Sequence, residues 1–470
     1  TDNLYIDAHW QDLSSVVSGT LSLSQKANIP KFNFTNDLQM VKRVSGNILS
    51  VSSRNRFYHH PHRLDVVSDN PVEQNLTTQN FRSVTELKYG LTKAKWNIYV
   101  RGGLDFDYHH LKSNLDGTAS PLVTECDFQS LLMRVYAVPE ASFNSYRWLV
   151  TVSLPIGLKT NHIYGGQTVS NMSKCYLSVA PFVYVKYKLN ARMDAIAQLK
   201  YALEPPEATC HIPAAIMQNF RNLYLSVPTT DYYHYRSAAV NLRYRNPIKS
   251  LFFNIVGKYD WNNYPLTNDQ IFLNNNILNT FTLNSNDSRR FNVNGNISKG
   301  LMSGKIHISL DASYADVSSS AMRDGQKLSY RQSAIVLQPG LKGYFTNWLS
   351  TDYKIGYTIN KLRIKNGNAS NYLSIKQFLS LALVPLKGWQ FSVGGEHYYT
   401  RFSSSRSSSL ILVDASVTWE TTKKLEFSIK ATNILNRTEY RYANYGLLSE
   451  TDYMYRIRGR NIMLSMQVRI

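Results

Sequence analysis

Short and long connections alternate regularly along this chain, and no other feature constrains its fold as strongly. From residue 78 onward, segments that read as β-strands are joined in pairs by a tight connection, and a longer polar stretch follows each pair. Tight connections are expected at residues 91–95, 139–145, 189–192, 245–249, 300–305, 343–348, 385–389 and 420–425. Long connections are expected at residues 109–124, 160–174, 204–233, 263–286, 319–326, 362–371, 403–408 and 435–455. This layout predicts an antiparallel meander.

In such a meander all the long loops lie at the same end of the sheet, and this feature distinguishes between two all-β architectures. A soluble sandwich has no reason for such segregation, whereas an outer-membrane barrel has short periplasmic turns and long extracellular loops. Counting strands backward from the C-terminus gives about 20 to 22. We therefore predict that residues 1–470 form one large antiparallel transmembrane up-and-down β-barrel in the outer membrane of a Gram-negative bacterium, although residues 1–77 are too irregular to divide into strands.

Within the expected strands, apolar and polar residues alternate with a period of two. In the last strand, Ile462, Leu464 and Met466 alternate with Asn461, Met463 and Ser465. The segments 306–314 and 425–432 show the same alternation. One face of each strand therefore suits lipid and the other suits a wet interior. Because an unpaired sheet edge would leave amide groups unsatisfied in hydrocarbon, the strands are expected to close into a ring.

The composition supports this architecture over the alternatives. Hydrophobic residues make up 43% of the chain and charged residues 18%, yet no apolar run approaches the roughly 18 residues that a membrane helix requires. The 32 tyrosines suit strands and interfacial girdles. A soluble propeller would need a repeat of about 40 to 50 residues, and the sequence has none.

Charge and cysteine content exclude several other classes. The formal net charge is +20, but Lys and Arg are scattered without a basic run, so we expect no nucleic-acid partner. A hydrated interior and an outer surface that meets anionic lipid and lipopolysaccharide account for the charge more simply. Cys126, Cys175 and Cys210 form no CxxC motif and have no metal-ligand spacing.

Residues 431–440 resemble the motif A-x-N-L-F-N-x-x-Y, which lies near the C-terminus of TonB-dependent outer-membrane receptors. The matching positions are Ala431, Asn433, Leu435, Asn436 and Tyr440. The tail 453–460, followed by an amphipathic last strand, is similar to the version found in the Bacteroidetes branch of that family. The chain departs from the family in ending on Ile470 where members usually end on Phe.

This resemblance implies the barrel domain of a receptor for the active uptake of a nutrient ligand, of the siderophore, haem, glycan or peptide class. In this family a plug domain fills the barrel, and the TonB–ExbB–ExbD complex of the inner membrane remodels the plug. We recognise no plug, energy-coupling box or signal peptide in the sequence, so we expect the plug domain of the same precursor to be a partner. The family also implies TonB–ExbB–ExbD, acting through the plug region, and a surface lipoprotein as partners. A passive porin or structural barrel is the alternative.

Histidines and tyrosines of the outer loops are the candidate ligand-binding residues. They are His59, His60, His62, His109, His110, Tyr232, Tyr233 and Tyr235. Imidazoles could bind a metal or haem, but adjacent histidines have poor geometry for one ion, and we expect neither a metal site nor a cofactor. The tyrosines could stack on a sugar or siderophore, and an interfacial girdle is the other interpretation of the same residues.

No motif indicates catalysis. Asp105 and Asp107 share a strand face, but no nucleophile accompanies them in the sequence. The chain contains neither a nucleophile elbow nor an HExxH motif. We therefore expect that the protein is not an enzyme.

Overall fold

The computed structural model describes residues 2–17, 23–44, 47–68, 71–117, 124–165, 169–205, 213–219, 221–273, 276–365, 367, 369–401, 406–422, 425–445 and 450–468. Most of this chain is β-strand, and a short 3-10 helix covers Met302–Gly304. In the described ranges, no helix is both long enough and apolar enough to span a membrane.

The strands are numbered in chain order. Those of the first half are β1 (Asp2–His9), β2 (Asp12–Val17), β3 (Leu23–Asn28), β4 (Lys31–Val44), β5 (Asn47–Val67), β6 (Val72–Lys93), β7 (Trp96–Asp116), β8 (Glu125–Asn144), β9 (Trp148–Ser153), β10 (Ile156–Gly165), β11 (Val169–Val179), β12 (Phe182–Asn190), β13 (Met193–Glu204), β14 (Ile216–Asn219) and β15 (Asn222–Ser226). Those of the second half are β16 (Tyr233–Asn246), β17 (Leu251–Tyr264), β18 (Thr267–Leu273), β19 (Asn276–Thr282), β20 (Asn286–Leu301), β21 (Ile306–Arg323), β22 (Gln326–Tyr344), β23 (Leu349–Ile364), β24 (Ala369–Leu386), β25 (Trp389–Arg401), β26 (Ser407–Thr422), β27 (Leu425–Thr432), β28 (Glu439–Tyr445), β29 (Glu450–Arg456) and β30 (Asn461–Val468).

Antiparallel pairing of sequential strands builds one continuous wall that runs from β1 to β30. Six strands, β14, β15, β18, β19, β28 and β29, belong to loops between wall strands. Four wall strands are each interrupted once, so that β1 with β2, β3 with β4, β9 with β10, and β11 with β12 count as one strand apiece. The described wall therefore has twenty strands, at the lower end of the predicted range.

Proline explains three of the four interruptions. The breaks lie at Ile29–Pro30, Leu154–Pro155 and Ala180–Pro181. Proline has no amide hydrogen for a sheet hydrogen bond, and it therefore interrupts a ladder. The main chain compensates across the break, since the Ala180 amide donates to the carbonyl oxygen of Pro155 at 2.8 Å.

The two ends of the wall differ, as the sequence predicted. At one end, successive strands are joined by short turns that lie within a few residues of the predicted tight connections. At the turn between β24 and β25, Gly388 has a φ of 82°, and a Cβ there would lie 2.6 Å from the carbonyl oxygen of Glu420, so both the conformation and the space require glycine. We refer to the opposite end of the wall as the loop end.

The structure corrects the extent of several predicted loops. Residues 109–116 continue β7, residues 160–165 and 169–174 belong to β10 and β11, and β21 and β22 are joined by a two-residue turn at Asp324 and Gly325. These strands extend beyond the length of about 9 to 11 residues that spans a bilayer. Above the bilayer both faces of a hairpin meet water, so the apolar alternation that marks a membrane strand is lost there.

The faces of the wall confirm the predicted alternation. On the outer face of β30, the exposed fraction of the residue surface is 57–77% for the apolar residues Ile462, Leu464, Met466 and Val468. Residues paired across neighbouring strands share a face, and the register continues this row from Leu464 through Ile429 to Val417. The inner face carries most of the charged side chains.

Aromatic rings line the outer face beside the short turns. Neighbouring strands bring them together in the pairs Trp96–Phe143, Trp148–Tyr187, Tyr244–Phe253 and Trp389–Trp419, with centroids 4.3–5.4 Å apart. Such a girdle is typical of the interface between lipid tails and headgroups.

The best-buried apolar residues lie at the loop end. The loop between β13 and β16 folds into the hairpin β14–β15, which also pairs in parallel with β19. We refer to residues 213–226 as the cap. Ala214, Ala215, Met217 and Leu223 of the cap are almost fully buried, and they pack on Leu64, Leu111, Leu115, Phe128 and Ile163 of the wall.

Candidate ligand entrance at the loop end of the barrel

A single buried carboxylate organises the charges of the inner wall. Asp105 accepts hydrogen bonds from Arg82 on β6 and from Arg134 on β8, at 3.2 and 3.0 Å. Asp105 is 7% exposed, whereas both arginines are partly open to the interior. Asp105 lies on β7, between the strands of its two partners, so these ion pairs link β6, β7 and β8. Removing this buried carboxylate would leave two guanidinium groups without their shared partner.

The candidate histidines divide between the two faces of the wall. The register places His60 and His62 on the inner face of β5 and His109 on the inner face of β7. His59 and His110 lie on the outer face, where the Gln79 side chain between them is 3.3 Å from His59.

Each of three candidate histidines has a different polar partner. His60 Nε2 lies 2.8 Å from Asn33 Oδ1, and His109 Nε2 lies 3.1 Å from Asp107 Oδ1. His110 Nε2 lies 2.8 Å from Asp127 Oδ1. Burial lowers the pKa of His62, which favours a neutral imidazole at pH 7. Among the described residues, no group of three His, Cys, Asp or Glu side chains is arranged to hold a metal ion.

Two tyrosines at the start of β16 are directed inward. Tyr233 and Tyr235 pair with Glu204 and Ala202, which lie on the inner face of β13. Tyr235 donates to Asp260 at 3.2 Å, and its hydroxyl accepts a hydrogen bond from Lys258. The girdle interpretation requires outward positions, and it is therefore wrong for Tyr233 and Tyr235.

Tyr232 is buried where the loop crosses β10 and β11. Its ring meets Tyr176 edge-on at 4.5 Å, and Lys159 Nζ lies 5.5 Å from the ring centre. Burial raises the pKa of the Tyr232 phenol, so the hydroxyl remains protonated and able to donate.

An amide side chain ties the cap to the wall. Gln74 on β6 is fully buried, donates to Ser113 Oγ at 2.6 Å and accepts a hydrogen bond from the Met217 amide at 2.8 Å. Sequence reasoning missed this role, because Gln74 stands in an ordinary polar stretch and its partner Met217 is 143 residues away. Lys159 and Arg134 were missed for the same reason.

The C-terminal motif builds the base of a loop hairpin. Asn433 and Asn436 both have positive φ, of 50° and 53°, which asparagine tolerates better than most residues. The Asn433 side chain donates to the carbonyl oxygens of Arg437 and Arg458, and Asn436 Oδ1 accepts from the Arg460 amide at 2.9 Å. These bonds join the chain segments that enter and leave the hairpin β28–β29.

The other motif positions have different surroundings. Ala431 pairs with Ala415 within the wall, and Leu435 is exposed. The ring of Tyr440 lies 5.9 Å from that of Tyr398, which projects from β25. Asn433, Asn436 and Tyr440 therefore belong to the hairpin or its base, whereas Ala431 belongs to the wall.

The wall and its apolar outer face define a large outer-membrane β-barrel, which belongs in the outer membrane of a Gram-negative bacterium. The ferric citrate transporter FecA in its unliganded form has a similar fold, with 11% identity and a TM-score of 0.52 over 99% of this chain and 67% of that protein. The copper transporter OprC matches with 8% identity and a TM-score of 0.45, over 99% of this chain and 80% of that protein.

The siderophore receptor PirA from Pseudomonas aeruginosa matches with 10% identity and a TM-score of 0.44, over 97% of this chain and 75% of that protein. The FecA comparison carries the assignment of the fold, because the other two TM-scores are lower. All three are transporters or receptors and not enzymes. No family model matches the sequence, and no curated protein matches it significantly.

Proposed function

We propose that residues 1–470 form the barrel domain of a TonB-dependent receptor that imports a nutrient ligand across the outer membrane. The observation that carries this proposal is the inner wall, where Asp105 and its two arginines lie on the inner face of a sheet of twenty strands. An interior of this width is too large for side chains alone to fill. The plug domain of the same precursor is the occupant that we propose, and its surface would be complementary to these charges.

The loop end is where we place ligand capture. The cap packs on the inner wall and narrows one sector of the entrance. His60 and His62 lie on the inner face of β5, Tyr235 lies on the inner face of β16, and Tyr232 comes just before β16. Imidazole and phenol groups suit a siderophore, haem, glycan or peptide. FecA, OprC and PirA transport or bind ferric citrate, copper and siderophores by their names, and this chain would serve an analogous uptake.

Three further partners follow from the proposal. TonB–ExbB–ExbD would act through the plug region, and a surface lipoprotein would cover the loops. The outer row of His59, Gln79 and His110 continues above the apolar band, where it would meet lipopolysaccharide. The resemblance of the C-terminal motif favours the Bacteroidetes branch.

Uptake by cells tests the proposal. A strain that lacks the gene is compared with its parent for growth on limiting iron, haem, glycans and peptides, and uptake of the ligand so identified is measured with and without a protonophore. We expect the mutant to lose one nutrient and the protonophore to abolish uptake. Uptake that continues without proton-motive force would instead establish a passive porin.

A further inference from the structure

Lys159 occupies an unusual position on the inner face of β10. Its side chain is about nine-tenths buried, since the residues before β16 cross above it. The Nζ atom donates to the Leu203 carbonyl oxygen and lies 3.9 Å from Glu204 Oε2. A lysine is seldom buried to this degree unless a partner compensates its charge.

The strand register places a second cation beside it. Arg134 on β8 and Tyr176 on β11 are the direct partners of Lys159, so all three lie in one row on the inner face. Arg134 already binds Asp105, but its Nε atom is buried and has no partner among the described residues.

Two more buried polar groups around this row are unpaired. The Tyr232 hydroxyl and Asn161 Oδ1 have no hydrogen-bond partner in the described chain, although the two residues are only 7% and 3% exposed. A buried polar group destabilises the protein when it is left without a hydrogen-bond partner. The Asn161 amide can also present its NH2 group after rotation. Buried polar atoms without a partner indicate a site where a polar group of a ligand could supply the missing hydrogen bonds.

A cavity of about 480 Å³ adjoins the row. Its charged lining consists of the cations Arg101, Arg134, Lys159 and Lys200 and the carboxylates Glu86 and Glu204. The cations therefore exceed the carboxylates by two, and the volume falls within the usual range for small-molecule sites. Outside the lining, Asp105 pairs with Arg134 and Glu140 lies 3.7 Å from Arg101, so the excess of cations is confined to the groups that line the cavity. A small ligand in the cavity would contact these lining groups, which favours an anion.

The Tyr232 segment is held over the row by Asp231. Asp231 Oδ1 accepts from Lys174 Nζ at 2.7 Å and from the Tyr176 hydroxyl at 3.2 Å. Asp231 and Lys174 are about half exposed, so an ion pair of this kind is weak and can open. We refer to residues 229–232, which precede β16, as the lid.

We propose that Lys159 and Arg134 form a covered binding site for the carboxylate or phosphate group of a ligand, and that the lid opens when Asp231 releases Lys174. The proposal deepens the uptake function by naming the chemical class of the ligand, and for its physiological meaning it rests on that function. Binding of an anion to the isolated protein is independent of transport, so the two can fail separately.

Saturation-transfer difference NMR tests the site. The sample is the full-length native protein, purified in detergent micelles. The probes are citrate for carboxylates, glucose 6-phosphate for phosphates, and glucose as the neutral control. We expect a signal from at least one anion and none from glucose. The Asp231→Asn variant should bind more tightly, because the lid is released, and Lys159→Met should bind about ten- to a hundredfold more weakly.

Matched variants keep the test decisive. Lys342 on the inner face of β22 likewise lies near a carboxylate, that of Asp352, and Lys342→Met should bind as the native protein does. If Lys159→Met does not assemble, as judged by heat-modifiable migration on gels, Arg134→Gln replaces it, since Asp105 keeps Arg82. No anion signal in either the native protein or Asp231→Asn would overturn the proposal, as would unchanged binding in the lysine or arginine variant.

Discussion

The Nδ2 atom of Asn433 donates a hydrogen bond of 2.8 Å to the carbonyl oxygen of Arg458, 25 residues further along the chain. The same atom donates to Arg437, while Asn433 Oδ1 accepts from the Arg437 amide. One side chain therefore closes the base of the hairpin β28–β29, and its positive φ explains why an asparagine suits this position.

Replacing Asn433 should loosen that hairpin. Asn433→Ala removes three hydrogen bonds and strains a left-handed backbone, and we expect a local loss of about 2 to 4 kcal/mol. Trypsin cleavage after Arg441 on intact cells should become faster. Leu435→Ala, at an exposed neighbour, is the control and should cleave as the native protein does. Equal cleavage of all three proteins would contradict this role.

Cysteine labelling can report on the cap. Cys126 is buried in the core that contains Ala214 and Ile216, and burial raises the pKa of its thiol to about 11, whereas Cys175 is exposed. In a Cys210→Ser background, a maleimide at pH 7 should label Cys175 rapidly and Cys126 slowly. Gln74→Ala removes the bond to Met217 and should speed the labelling of Cys126 while Cys175 is unaffected. A rate for Cys126 that does not respond to Gln74→Ala would show that Gln74 does not anchor the cap.

Asp105 should contribute more to the free energy of unfolding than Asp127, an aspartate in an exposed ion pair. Asp105→Ala leaves Arg82 and Arg134 without their shared acceptor, and we expect the free energy of unfolding to fall by about 1.5 to 3 kcal/mol. Both arginines remain in contact with water, which limits the loss. Asp127→Ala removes an exposed partner of His110, and it should change the value by less than about 1 kcal/mol. Denaturant unfolding in lipid vesicles measures both, and equal losses would contradict the special place of Asp105.

The sequence predicted the parts of the fold that depend on local pattern. Alternation at Leu464 and Ile429, and the tight turns between strands, follow from nearest neighbours and from the requirements of lipid. The bond from Gln74 to Met217 and the row of Arg134 with Lys159 depend on which strands become neighbours, and no local pattern contains that information. The candidate tyrosines were therefore found, but their inward direction and the cations beneath Tyr232 were not.

The alternation in β30 gives a direct test of which face meets lipid. Leu464 is 77% exposed on the outer face, and the next residue, Ser465, lies on the inner face. Leu464→Arg should reduce the free energy of unfolding in vesicles by about 2 to 4 kcal/mol, because a guanidinium group near the middle of the bilayer is poorly solvated. Ser465→Arg places the same charge in the hydrated interior and should cost less than about 1 kcal/mol. If Ser465→Arg were the more damaging change, the assignment of the two faces would be wrong. Lys159 and Arg134 would then lie against lipid, where charged side chains are rare.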